Sequence, residues 1–328
     1  MTRPWLWPMM IATALVAAML SIAVGSAAIP PGRIVAALTG DGDPVVRAIV
    51  LDLRLPRTLL ALSVGAMLGL SGAALQGFLR NPLAEPSVLG ASNGAALGAV
   101  VALYFGLAAS HEWTLPLLAV IGALSALGVL FALAGRSESP LTLILAGIAV
   151  STLAGAAISL ALNLAPNPFA AMEIATWLLG SFEDRSTTHV LIALPCIAAG
   201  LALLAWDGRA LDALTLGEDG AAALGIDLAR VRMRLLFGVA IGIGGAVAVS
   251  GAIGFVGLIV PHLIRPLTDR SPSALLWPSA VAGAGLLTLA DVAVRVIPAE
   301  TELRLGVVTA FLGVPVFLVH LMRERRLW

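Results

Sequence analysis

The feature that most constrains this chain is a succession of apolar runs, each about as long as a bilayer is thick. Lipid offers no partners to backbone N–H and C=O groups, so a spanning segment must be a helix or part of a closed barrel. Runs of about 20 residues without strict alternation point to helices. Ten are expected, at 5–28, 57–79, 88–107, 114–135, 140–164, 189–207, 233–253, 255–268, 274–297 and 304–322. The eighth, GFVGLIVPHLIRPL, is too short for a full span and contains Pro261, which predicts a half-helix or a strongly tilted one. Of the 328 residues 59% are hydrophobic and only 12% charged, against about 25% charged in soluble domains. The chain therefore reads as one all-α, polytopic membrane domain over 1–328.

All 19 basic residues are arginine. Without a lysine there is no Walker A loop and no retinal Schiff base. The net charge of zero argues against a nucleic-acid partner. Cys196 stands alone, so no intramolecular disulfide forms, and its place in an apolar run makes it a small buried hydrophobe. His111, His189, His262 and His320 lack metal-ligand spacing. With no Ser/His/Asp or Cys/His constellation either, the expectation is no metal, no cofactor and no catalysis. Met9–Val24 followed by Gly25-Ser26-Ala27-Ala28 looks like a secretory signal, but the spans beyond it mark an uncleaved first helix.

The stretch SGAALQGFLRNPLAEPSVLGASNGAALG, residues 71–98, joins two apolar segments by a short polar turn. Gly90, Gly94 and Gly98 recur at steps of four, which predicts a flat helix face for close packing. Ser71-Gly72-Ala73 precedes Pro82 at the same offset as Ser250-Gly251-Ala252 precedes Pro261, a sign of a duplicated half. Gly251 belongs to this second small-residue stretch and is assigned to helix packing. With the N-terminus inside, twelve arginines, including Arg3, Arg136, Arg325 and Arg326, fall on the cytoplasmic side and seven outside. Both termini are therefore expected to be cytoplasmic.

Three connections are too long for turns. Residues 29–56 read as an amphipathic outer segment, and 165–188 as an outer loop with a short helix. Residues 208–232, the only sizeable inner segment, place Leu216-Gly217 and Leu224-Gly225 eight apart with Glu218 between them, fitting two short helices meeting at a Gly turn. Their apolar residues call for a cytosolic partner as cover. Within the spans, Asp291 lies one turn before Arg295. The two pair on one face, and the rival role for Asp291 is a proton or ion relay. Arg54, Arg57 and Arg295 would ring the outer mouth, offering planar cationic forks to a carboxylate-bearing partner or substrate.

These pieces together resemble the FecCD-type permeases, membrane subunits of importers for ferric siderophores, haem and vitamin B12. The resemblance is carried by LRLPR (53–57), residues 71–98, LILAGIAVS (143–151), TWLLGSF (176–182), LTLGEDGAAALGIDLARVR (214–232), SGAIGFVGLIVPHLIR (250–265), ADVAVR (290–295) and LGVVTAFLGVPVFLVHL (305–321). It implies the type II ABC importer permease fold with ten helices and two pseudo-repeated halves, in the bacterial inner membrane. It also implies a second permease copy, here expected as a homodimer, two cytoplasmic ATPase subunits that bind ATP and Mg, and a periplasmic binding protein. In this resemblance Arg54 and Arg295 dock the binding protein, with Arg57 beside them assigned to the same site, and Leu216, Gly217, Glu218, Leu224 and Gly225 couple to the ATPase. For a large chelate, Ser139, Thr142 and Ser151 are candidate hydroxyls of the pathway near the inner mouth. NPLAEP and SNGA look nearer to the vitamin B12 permeases, whereas siderophore uptake is the commoner family role and is the expected one. The alternative from another class is a secondary transporter coupled through Asp291.

Overall fold

A computed structural model describes residues 5–135, 139–297 and 302–324; Arg3, Arg136, Arg325 and Arg326 lie outside them. Among the described residues seven helices are long and apolar enough to span a membrane, and three shorter apolar helices accompany them. The bundle begins with α1 (Leu6–Ala23), and two short outer helices follow, α2 (Pro31–Thr39) and α3 (Pro44–Ala48). The core helices are α4 (Leu55–Phe78), α5 (Ala91–Tyr104), α6 (Thr114–Ala134) and α7 (Pro140–Asn163). Next come α8 (Pro168–Leu178) on the outer side and α9 (Thr187–Trp206), then α10 (Gly208–Ala213) and α11 (Glu218–Ala223) at the inner end. The second set is α12 (Leu228–Ser250), α13 (Val256–Ile264), α14 (Pro272–Val296) and α15 (Leu305–Glu324). Here "outer" denotes the end at which α1 finishes.

Local sequence sets these boundaries. Proline occupies the first turn of α4, α7, α8 and α14, where its missing N–H costs nothing. Asn167 and Asp227 cap α8 and α12 by accepting from the N–H groups of Ala170 and Arg230. Exposed Trp5, Trp206 and Trp277 fall at the inner helix ends, and Trp113 and Phe105 at the outer ones, as expected of interfacial belts.

The two helix sets repeat a length pattern. The first four run 24, 14, 21 and 24 residues, and the second four 23, 9, 25 and 20. Their packing is exchanged: α4 lies on α14 and α13 of the second set, while α12 lies on α6 and α5 of the first. Glycine permits this closeness. A Cβ on Gly65 or Gly69 would strike the carbonyls of Gly283 or Ser279 on α14, and one on Gly72 would strike Gly257 on α13.

Several expectations change. The second span is not bounded at 57: a π-helical stretch, Ile49–Arg54, joins α3 to α4, so Pro44–Phe78 is one 35-residue apolar helix. Pro56 cannot donate to the carbonyl of Asp52 and crowds it, and a wider i→i+5 turn just before the proline relieves that clash. The third helix starts at Ala91, because Gly90 sits in the left-handed region (φ 80°) as its N-cap. Gly90 is therefore not on the helical strip; a Cβ there would meet Val150 on α7. Gly94 and Gly98 do face α6, at Gly122 and Leu118. Gly251 (φ 68°) ends α12 and packs backbone to backbone on Trp177 and Gly180. The half-helix expected around Pro261 is α13. Pro261 leaves the Gly257 carbonyl without its helical donor, and the buried Gln76 Nε2 supplies one from α4 at 3.5 Å, with Leu258 O at 3.3 Å.

Candidate functional sites at the two ends

The outer site is built on the C-terminus of α1. The last carbonyls of a helix lack intrahelical donors and favour a cation. Arg54 donates to the carbonyls of Ile22 and Ala23 at 2.9 and 2.8 Å and of Ala27 at 2.5 Å. Gly25 leaves room for that guanidinium, since a Cβ would stand 2.9 Å from its Nη2. Arg295 reaches the Ser21 and Val24 carbonyls, both at 2.9 Å, and the Ser21 hydroxyl at 2.7 Å. The signal-like Gly25-Ser26-Ala27-Ala28 stretch thus helps to seat Arg54, while Arg295 sits on the end of α1 just before it.

Asp291, 1% exposed, lies between two cations. It accepts from Arg295 Nη2 at 2.8 Å and from Arg57 Nη2 at 2.8 Å, with Arg57 Nε 3.1 Å from both of its oxygens. The pairing of Asp291 with Arg295 expected from their spacing is present, and Arg57 joins it across 234 positions of sequence. Glu302, just before α15, pairs with Arg57 through both carboxylate oxygens. The three arginines do line the outer recess, a cavity of about 550 Å³ shared with Glu183, Asp184, Arg185 and Glu302. Their forks are not free, however. Each is committed to carbonyls or carboxylates of the chain itself, because a guanidinium in so dry a place requires partners.

A knot of backbone contacts lies beside this recess. Leu305 N donates to Gly180 O at 2.9 Å, Gly306 N to Leu179 O at 3.1 Å, and Ser181 N to Ser250 O at 2.8 Å. Arg185 Nε donates to Val249 O at 2.6 Å, and Arg304 pairs with Glu183 at 2.7 Å. Burial lowers the Arg185 pKa below its ordinary value. The ends of α8 and α12 and the start of α15 are therefore held together.

At the inner end α10, a 3-10 turn (Leu214–Leu216) and α11 form the pair of short helices expected from 208–232. Gly217 (φ 91°) and Gly225 (φ 81°) make the reversals, in the backbone region that favours glycine. Leu216 and Leu224 are 69% and 64% exposed. The pair is anchored to the spans by polar links that the sequence did not disclose. Arg234 on α12 holds the buried Asp207 at 2.6 Å, Asp212 accepts from Ser273 on α14 at 2.6 Å, and Arg80 lies 3.7 Å from Glu218. Of the hydroxyls proposed for the inner mouth, Ser139 and Thr142 lie at the inner start of α7. Ser151 stands about 18 Å further along the helix, at 1.5 Å per residue. It donates to Ser87 O at 2.7 Å, so it braces α7 on the α4–α5 connection and its donor is not available to a passing solute. Among the described residues no cluster of metal ligands exists.

Glu302, Ser21 and Asp207 were missed by sequence reasoning. An acidic residue beside a span end was the available signal, and Asp207 and Glu302 both carried it.

A helical bundle of spans with a charged recess at one end and exposed leucines at the other is the architecture of a transport permease. Comparison with known proteins fixes which kind: the FecCD transport family profile matches residues 13–323, and the chain belongs to that family. It is 44% identical over 292 residues to the ABC transporter permease protein YvrB of Bacillus subtilis, covering 88% of this chain and 82% of that one. It is 40% identical to the vitamin B12 import system permease protein BtuC of Vibrio vulnificus (84% and 83% covered) and 39% identical to that of Salmonella typhi (95% and 93%). A solved metal-chelate type ABC transporter in an inward-facing conformation superposes with a TM-score of 0.88 at 31% identity, over 98% of this chain and all of that one. The fold is that of type II ABC importer permeases, and these relatives are transport subunits, not enzymes.

Proposed function

We propose that this chain is the permease subunit of an ATP-driven importer carrying a metal chelate inward across the bacterial inner membrane, both termini cytoplasmic. The observation that carries the reading is the exposure of Leu216 and Leu224 on two short helices braced against α12 and α14. Such a surface requires cover, and a lysine-free chain needs a separate ATPase. Two ATPase subunits bind ATP and Mg and hold Leu216, Gly217, Glu218, Leu224 and Gly225 in their cleft. Closure of the ATPase pair moves this segment, and the links at Asp207 and Asp212 carry the movement into the spans. A second identical copy completes the pathway, with Ser139 and Thr142 of each copy near its inner mouth. A periplasmic binding protein docks over Arg54, Arg57 and Arg295, which already line the outer recess; its carboxylates exchange with the chain's own acceptors.

The cargo is a cobalt corrinoid of the vitamin B12 type. Relatives 39–40% identical that bear that name favour it over the ferric siderophore expected from the sequence. The test is uptake of labelled vitamin B12, ferric siderophores and haem in cells lacking this gene. Loss of vitamin B12 entry alone, restored by re-expression and abolished by ATP depletion, is the expected result. Loss of siderophore or haem entry instead reassigns the cargo. Uptake that follows the ion gradient and ignores ATP overturns the importer reading in favour of coupling through Asp291.

A further inference from the structure

We propose that Glu302 is an internal stand-in for the carboxylate of an acidic docking partner, a latch that such a carboxylate must displace from Arg57 and whose release loosens the start of α15. The inference rests on the reading of the outer arginines as a docking site. Three cations and two carboxylates meet there: Arg54, Arg57 and Arg295 with Asp291 and Glu302. Asp291 is fixed within α14, five residues before its outer end at Val296, 1% exposed and shared by two guanidiniums. Glu302 lies outside any helix and is the most exposed member, at 19% against 13% for Arg57 and 6% for Arg295. With Glu302 swung away, four arginines (Arg54, Arg57, Arg185 and Arg295) stand against three carboxylates (Asp291, Glu183 and Asp184) around the recess, and the net positive charge attracts an anion. The vacated fork of Arg57 suits a carboxylate bidentately. The recess, at about 550 Å³, admits an acidic side chain.

The latch is joined to what lies below it. Three positions after Glu302, Leu305 donates to Gly180, and Gly306 next to it donates to Leu179. Arg304, between Glu302 and Leu305, holds Glu183. A carboxylate on Arg57 therefore removes the tie between the head of α15 and α4, and leaves the backbone bonds of Leu305 and Gly306, with the Arg304–Glu183 pair, to hold that head. Docking at the mouth becomes a loosening of a spanning helix.

The test uses the full chain in nanodiscs with hexaglutamate as the acidic probe at low salt. Glu302→Gln is expected to bind the probe at least tenfold more tightly than the parent, because the competing carboxylate is gone. Arg57→Gln is expected to lose binding. In the parent chain, which needs no substitution, hydrogen exchange at the amides of Leu305 and Gly306 is expected to accelerate when the probe is added. In Glu302→Gln it is fast from the outset. Binding by the parent that is lost in Arg57→Gln, with an affinity in Glu302→Gln within twofold of the parent, overturns the latch and leaves the docking reading standing. Unchanged exchange at Leu305 and Gly306 in the probe-bound parent also overturns it. Absence of binding by both chains overturns the latch together with the docking reading.

Discussion

Asp291 shows how a charge is tolerated inside the bundle. Two arginines share it, and removal of the carboxylate leaves two buried cations facing each other. Breaking a buried pair from one side costs about 3–5 kcal/mol. Asp291→Asn should therefore lower the stability of the purified protein by roughly that amount in a denaturant titration. A variant as stable as the parent would indicate that the pair is not structural, and would return Asp291 to the role of a coupling site. Gly72 makes a second demand on residue identity. Its Cα side faces the carbonyl of Gly257 with no space between, so Gly72→Val must push α4 and α13 apart. Overpacking of this kind costs about 1–3 kcal/mol, often more against backbone. The expected outcome is reduced yield of folded protein by size-exclusion chromatography, whereas Gly128→Ala, where nothing lies within 4 Å of a Cβ, should behave as the parent.

At the scale of elements, the spans were legible because apolar runs and prolines carry their own physics. Pro261 announced the half-helix, and the start expected at 140 is Pro140 of α7, whereas α14 begins at Pro272, two residues before the expected 274. The outer segment was less legible. Arg54 and Arg57 read as a water-side boundary, yet pairing and helix-end carbonyls let the helix run through them from Pro44. The strip at Gly90, Gly94 and Gly98 was read one position too far, since a backbone turning into the left-handed region leaves no periodic signal. The partners of Arg57 lie more than 230 positions away, beyond any spacing argument. The inner pair of helices was legible from its glycines and leucines, and its prediction belongs here. Leu224→Asp places a charge on the turn after α11, at a side chain 64% exposed. ATPase association should fall by at least tenfold in a pull-down, while the melting temperature of the permease alone stays within about 2 °C, as for a surface change.

At the scale of the molecule, the main neighbour of α4 is α14 of the other half, while α12 lies on α9 of its own half as well as on α6 and α5 of the other. Residues 1–165 and 166–328 produced as separate chains should be degraded singly and should restore uptake when made together. Two halves that each persist alone would show that the pairing of α4 with α14 is dispensable. The same arrangement bears on synthesis. The chain between the end of α4 and the start of α14 is about 190 residues, which at ~5–20 residues per second takes a ribosome roughly 10–40 s. For that interval the glycine face of α4, with Arg57 at its head, has been delivered to the membrane and has neither its helix nor its carboxylates. The nascent protein therefore depends on whatever shelters an unfinished span, whether the insertion machinery or its own early helices. A ribosome that stops before α14 releases a product that membrane proteases can recognise by its orphaned arginine.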